Sequence, residues 1–380
     1  MIELTGITWN HTRGYLPMLA TAQRFSELHP AIEIRWEKRS LQQFADSPIE
    51  KLAERYDLLV IDHPFAGYAA THDVLLPFDA HVPPEFLAAQ MSNSVGVSHP
   101  SYTYGGHQWC LATDAATPVC GYRPDLLTQA GVQLPSDWGQ LMDLARRGLV
   151  VLPAIPIDTL MNFYMMCVAL GEEPFQTETA VVGETVGAEA LRLLRELIHA
   201  CPPDCLRRNP IATWDLLANT DQAALCPFAY GYSNYGRCGY GRHLLSYTNL
   251  VSLNGRPLRS TLGGAGVAVS SRCRNIEAAM AYCQYVASPE CQSTVYFDSG
   301  GQPGHRAAWL DLEVNRRSNS FFLDTLPTLD NAYLRPRYDG YLDFQDHASP
   351  LVHRYLTENI EASRLLDTMN EIYLSSRRKS

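Results

Sequence analysis

Four large aliphatics in a row, Leu58-Leu59-Val60-Ile61, stand between Asp57 and Asp62-His63-Pro64. Such a run predicts a strand buried on both faces, as in a parallel sheet covered by helices, or else a piece of buried helix. Pro64 just downstream and a helix start just upstream favour the strand. Earlier in the chain, Glu3 to Trp9 reads as a strand. Leu16, Leu19, Ala22 and Phe25 then recur at helical spacing, which predicts a helix from about Tyr15 to Leu28, stopped before Pro30. Ile32, Ile34 and Trp36 alternate with Glu33, Arg35 and Glu37, the pattern of a half-buried strand. In Ser47-Pro48-Ile49-Glu50, Ser47 can cap a helix, Pro48 suits its first turn and Glu50 can bond back to the cap. This βαβαβ order predicts a parallel sheet with right-handed crossovers.

Leu75-Leu76-Pro77-Phe78-Asp79 leads into a loop-rich stretch, and Gly106 to Ala112 predicts a strand leaving the first domain. A helix opens within Gly121 to Leu127 and ends near Gly131; another starts at Pro135-Ser136-Asp137-Trp138 and runs to about Arg147. Leu149 to Leu152 reads as a short buried strand, and Thr159 to Leu170 as a helix ended by Gly171. Ala190 to His199 is amphipathic through Leu191, Leu194 and Ile198. Ala223 to Cys226, another buried strand, feeds the aromatic and glycine-rich loop Tyr230-Gly231-Tyr232-Ser233-Asn234-Tyr235-Gly236-Arg237. There is no internal repeat, charge block or low-complexity linker, so a domain boundary here is a crossing of chains.

Composition narrows the function class. A chain of 380 residues is too long for one ordinary core and suits two domains. Its net charge of −10 argues against a nucleic-acid partner, which needs a basic surface. No apolar run reaches the roughly 18 residues of a membrane span, so membrane insertion is not expected. Met1 to Trp9 lacks the basic region, apolar stretch and cleavage site of a secretion signal. The ten cysteines are scattered, several inside apolar runs, and read as small hydrophobes rather than as a disulfide framework. These features favour the cytoplasm; a chain whose leader had been removed would be periplasmic or extracellular.

Leu262-Gly263-Gly264-Ala265-Gly266-Val267-Ala268-Val269-Ser270 is followed by a helical stretch with Ala278, Ala279, Tyr282 and Val286. Ser288-Pro289-Glu290 and Gly300-Gly301-Gln302-Pro303 come next. This run resembles the carbohydrate-type extracellular solute-binding proteins of ABC importers. Tyr56 to Val60 with Leu76-Pro77-Phe78-Asp79, Tyr122 to Gly131 with Pro135 and Trp138, and Leu334-Arg335-Pro336-Arg337 are similar to further segments of that family, in the same order. Arg123 departs from it, standing where the family has Asn after the tyrosine. The resemblance implies an α/β fold of the two-lobed, type II periplasmic-binding-protein class, each lobe a mixed sheet flanked by helices. One lobe would combine residues 1–110 and 262–310, the other 113–258 and 315–380, with the crossings as a hinge that closes around a ligand. It also implies a non-catalytic protein holding a polar ligand, sugar-like or an organic acid, in the cleft, with an ABC permease as partner.

The loop after the first strand offers Trp9, Asn10, His11, Arg13 and Tyr15. Ligands of open α/β sheets bind beyond the carboxyl ends of strands, which adds Asp62 and His63. Trp109, Tyr122, Tyr164, Tyr230 and Tyr232 offer flat faces for a sugar ring, while Asp, Asn and Arg suit its hydroxyls. Each candidate has a plainer alternative. The aromatics pack into cores, His11 and His63 make structural hydrogen bonds, Asp62 caps a helix, and Gly263 and Gly264 serve close packing. Arg13, Arg123 and Arg237 lie on expected loops, and two converging guanidiniums would select a carboxylate.

No cofactor or metal is expected. His11, Asp62 and His63 are suitable ligand types without a helical His-x-x-x-His spacing, and Cys201-Pro-Pro-Asp-Cys205 has a metal-like interval without a matching second pair. Gly-x-Ser-x-Gly, Walker and Rossmann motifs are missing. A second reading keeps the fold but makes the chain a cytoplasmic enzyme or sensor, with an Asp-held His as general base.

Overall fold

Leu58–Ile61 is indeed a strand, with all four side chains buried, and it is the middle strand of a five-stranded sheet. The computed structural model describes residues 1–41, 43 and 48–378. Numbered along the chain, the strands of the two main sheets are β1 (Ile2–Trp9), β2 (Ile32–Arg39), β3 (Leu58–Ile61), β4 (Leu111–Ala116), β5 (Pro118–Tyr122), β6 (Leu225–Tyr230), β7 (Ser246–Thr248) and β8 (Gly263–Val269). The chain divides into two units. Residues 1–116, 263–316 and 337–339 form the first, and residues 117–262, 317–336 and 340–380 the second.

The first unit's sheet runs β2-β1-β3-β8-β4. β1 is parallel to β2 and β3, as the βαβαβ pattern predicts, and β8 is antiparallel to β3 and β4. Helix Thr12–Leu28 lays Met18, Ala22 and Phe25 into the core with Trp9 and Trp36. Leu16 and Leu19, expected on that face, are 44% and 37% exposed. The buried stripe instead takes in Gly14, Met18, Thr21, Ala22 and Phe25, an equally good helical spacing. Tyr282 of helix Ile276–Ala287 closes this core. Its ring stands edge-on to Phe25 at 5.4 Å, and its hydroxyl accepts the Trp36 indole N–H at 3.1 Å.

Two local expectations are corrected. The helix placed at Ser47 is Ile49–Ala53, with Pro48 at its N-cap; Ser47 lies outside the described residues. The strand predicted over Gly106 to Ala112 is broken, because Gly105 and Gly106 both take positive φ and fold His107–Gln108 back on Thr103–Tyr104 as a hairpin. The sheet strand starts only at Leu111.

In the second unit β5 pairs antiparallel with β6 and β7, and Val150 adds one parallel bridge to Leu225. That bridge is all that forms of the strand expected over Leu149 to Leu152. Helix Pro156–Ala169 is buried along almost its whole length, which its largely apolar sequence allows. Helices Glu184–Ala200 and Tyr341–Thr357 pack against it, and Ala362–Arg377 packs on those two. Phe175 sits among Tyr164, Tyr341, Phe344 and Tyr373, edge-on to each at 5.3–6.0 Å. Among the described residues no helix is long and apolar enough to cross a membrane.

Candidate functional site

The carboxyl ends of β1, β3 and β4 bring a polar rim together in the first unit. Beyond β1 the backbone turns at Asn10, whose N–H bonds Arg39 O at 2.7 Å and whose side chain is exposed. His11 is the N-cap of helix Thr12–Leu28, its Nδ1 accepting the Arg13 N–H at 3.0 Å. A ring nitrogen can accept only when unprotonated. Burial, and then the Arg13 charge, pull the His11 pKa down to about 4.

Arg13 points inward to Asp114 on β4. Nε bonds Oδ2 at 2.7 Å, and Nη2 meets Oδ1 to complete a two-pronged pair. Their side chains are 5% and 1% exposed. Burial pushes the Asp114 carboxyl up from its ordinary value, the Arg13 fork opposes this, and nearby Asp62 adds to it. Behind the pair, Gln302 Nε2 bonds Ala115 O at 2.8 Å and Gln292 Oε1 accepts the Gly304 N–H at 2.7 Å. The Gly300-Gly301-Gln302-Pro303 turn thus fastens β4 in place. At the end of β3, Asp62 is half-buried, and its Oδ1 accepts the His63 backbone N–H at 2.8 Å and lies 2.9 Å from His63 Nδ1. The His63 ring is sealed at 1% exposure, edge-on to Tyr102 at 6.4 Å.

The second unit holds a different polar group. Asp158 and Asn162 occupy one face of helix Pro156–Ala169, 5% and 4% exposed. Among the described residues, Asp158 Oδ2 and Asn162 Nδ2 have no hydrogen-bond partner. Burial raises the Asp158 pKa to about 8, so its carboxyl is protonated at neutral pH and able to donate.

No family model matches the chain, and no curated protein matches its sequence. Solved structures do match it. Maltose-bound MalE3 of T. maritima aligns with a TM-score of 0.83 at 17% identity, over 98% of this chain and 99% of that one. An ABC transporter solute-binding protein of Agrobacterium radiobacter K84 in complex with ribitol gives 0.83 at 18%, over 100% and 99%. One from Thermotoga lettingae bound with alpha-D-tagatose gives 0.83 at 16%, over 99% and 100%. The fold is that of the ABC-transporter solute-binding proteins.

Within this solute-binding fold the candidate residues fare unequally. Asn10, His11 and Asp62 share the rim, beside the buried Arg13–Asp114 pair. Tyr15 is half-buried under Lys38, whose Nζ lies 4.9 Å from its ring centroid. Trp9 is a correction: it is 5% exposed in the core, against Gly14, where any Cβ would overlap the indole. Trp109 is likewise built in, 8% exposed with Nε1 bonded to Tyr104 O at 3.0 Å. In the second unit Tyr122 and Tyr230 are half-buried, with Tyr230 Oη 3.0 Å from Thr261 Oγ1. Tyr164 is fully buried beside Phe175, and Tyr232 is 5% exposed, so neither offers a ring face to solvent.

Arg123 does not sit on an open loop. It is 1% exposed, forks onto Asp125 at 2.6 and 2.8 Å, reaches Asp221 at 3.1 Å, and donates to Leu217 O and Thr220 O. Those carbonyls lie at the end of helix Pro210–Asn219, so the guanidinium acts as a helix C-cap. Gly263 pairs with Ala116 in the sheet, and Gly264 (φ +103°) abuts the Asp114 carbonyl; both serve strand packing. Sequence reasoning missed Asp114 and the Asp158/Asn162 pair. The available signals were a lone acid within Leu111-Ala112-Thr113-Asp114-Ala115-Ala116, and Asp and Asn four apart in an otherwise apolar helix. Among the described residues no three His, Cys, Asp or Glu are placed to hold a metal ion.

The His11 cap makes stability pH-dependent. Its folded pKa of about 4 lies below the ordinary 6.5, so between these values the unfolded chain binds more protons. This contribution is complete above pH 6.5 and is lost as pH falls towards 4. Its size is on the order of 1–2 kcal/mol after allowance for partial exposure. Buried His99 and His305 act in the same direction. His11→Asn keeps an N-cap acceptor but removes the titration. Urea denaturation from pH 4 to 7 should show a shallower loss in the variant, and parallel curves would assign the pH dependence elsewhere.

Proposed function

We propose that this chain is a non-catalytic binding protein for a small, uncharged, hydroxyl-rich ligand, sugar-like or a polyol, which it passes to an ABC permease. The observation that carries this reading is the rim of Asn10, neutral His11 and Asp62 around an Arg13 already paired with Asp114. An amide, an uncharged imidazole and a carboxylate suit hydroxyls, which both donate and accept. The organic-acid alternative needs guanidiniums to spare. Arg13 is forked onto Asp114 and Arg123 onto Asp125, which weakens it. Neighbours of the same fold whose ligands are maltose, ribitol and alpha-D-tagatose support the ligand class.

The Asp62–His63 contact is the one observation favouring an enzyme, since an Asp-held imidazole is a usable general base. With its ring at 1% exposure, His63 fits a strand-end brace better. Thermal denaturation across a panel of sugars, polyols and organic acids tests the proposal. Saturating ligand should raise the melting temperature, since about 100 times Kd stabilises by about 2.7 kcal/mol. Shifts should come from hydroxyl-rich compounds, and a panel with none, or with organic acids alone, would overturn it.

A further inference from the structure

We propose that the second unit makes a ligand contact of its own at the start of helix Pro156–Ala169, where Asp158, Asn162 and the uncapped first turn hold two neighbouring hydroxyls. This rests on the binding reading above and adds residues to it. The two side chains stand four apart on one helix face, where Cβ atoms lie about 5–6 Å from one another, so both can reach adjacent hydroxyls of one ring or chain. They are buried, at 5% and 4% exposure. Asp158 Oδ2 and Asn162 Nδ2 are sealed from solvent and have no hydrogen-bond partner among the described residues. Burial alone acts on the Asp158 carboxyl; no cation and no hydrogen bond from the protein offsets it.

Other buried polar groups of this unit show what a purely structural role looks like. Thr213 Oγ1 donates to Asn209 O at 3.0 Å, and Trp214 Nε1 donates to Tyr230 O at 2.8 Å. Two unmatched polar side chains one turn apart break that rule, and they make the unliganded protein less stable than apolar groups of the same shape would. A ligand that supplies the missing partners offsets the cost. The way in is at the helix start. Ile155, Pro156 and Ile157 are only half-buried, and Oδ1 of Asp158 and of Asn162 is neither sealed nor hydrogen-bonded. Ile155 at the N-cap has no side-chain acceptor for the first turn, which leaves the Ile157 and Asp158 N–H groups available as donors.

Donors and acceptors thus lie side by side, which is the pattern a hydroxyl matches, since it gives one hydrogen and accepts another. One hydroxyl accepts from a first-turn N–H and donates to Asp158 Oδ1. Its neighbour donates to Asn162 Oδ1 or, with the amide turned over, accepts from its NH2 group. A compound without neighbouring hydroxyls satisfies at most one of the two side chains.

The test takes two readouts on the full chain. One is the melting temperature without ligand. The other is calorimetric affinity for the tightest-binding hydroxyl-rich compound of the panel above, with maltose, ribitol and tagatose included. Leu has the branched outline of Asp and Asn without their polar atoms. Asp158→Leu and Asn162→Leu should therefore melt about 2–4 °C higher than the wild type, and each should bind at least about tenfold more weakly. Asp158→Asn keeps a donor and an acceptor and should stay near the wild type in both readouts. Leu variants that melt lower, or that bind as tightly as the wild type, would overturn this contact while leaving the binding role standing. A panel in which no hydroxyl-rich compound binds the wild type would remove the binding role and this contact with it.

Discussion

Asp114→Asn should destabilise the first unit by about 3–5 kcal/mol. The exchange keeps the shape of the side chain but takes the Asp114 charge away from the Arg13 guanidinium, which is 5% exposed. Weakening a buried ion pair from one side is costly, because the desolvation of the charge that remains is no longer offset by the two-pronged contact. Replacing both members, as Arg13→Met with Asp114→Leu, should recover most of the loss, since a buried ion pair is worth little more than well-packed apolar groups. Guanidinium denaturation of the wild type, the single and the double variant distinguishes the cases. If Asp114→Asn costs under about 1 kcal/mol, the pair is not the dry anchor described here.

Gly264→Ala should be comparably damaging, on the order of 3–5 kcal/mol. At φ +103° an L side chain is strained, and its Cβ would overlap the Asp114 carbonyl oxygen and lie 3.0 Å from Ala115 Cα. Those are backbone atoms of β4, which are held by the ladder and cannot step aside. Gly106→Ala is the control. Its φ of +86° is also positive, but a Cβ there meets nothing within 4 Å, so only the conformational cost of about 1 kcal/mol remains. Melting temperatures of the two variants should differ clearly; equal losses would mean that backbone strain alone sets the cost.

The fold was more legible than the site, for a physical reason. Strands and helices announce themselves through local periodicity, as Leu58–Ile61 and Phe25 with Ala22 show. A side chain's task depends on partners far along the chain. The capping role of His11 is written within two residues, and Asp125 lies two residues from Arg123, so both were in principle readable. Asp114 is 101 residues from Arg13 and Asp221 is 98 from Arg123, and no local pattern points to either. Trp9 stands in the sequence as a candidate ligand contact at a strand end. Only the packing of helix Thr12–Leu28, with Gly14 leaving room for the indole, turns it into core. Val150 fails as a strand because a single bridge is all the second sheet offers it.

Calorimetric titration of one sugar or polyol into the wild type and into an Asn10→Ala/Asp62→Ala double variant bears most directly on the binding role. A saturable single-site isotherm in the wild type, weakened at least about tenfold in a folded double variant, is the expected result. Equal affinity in both proteins, or no heat from any hydroxyl-rich compound, would contradict it.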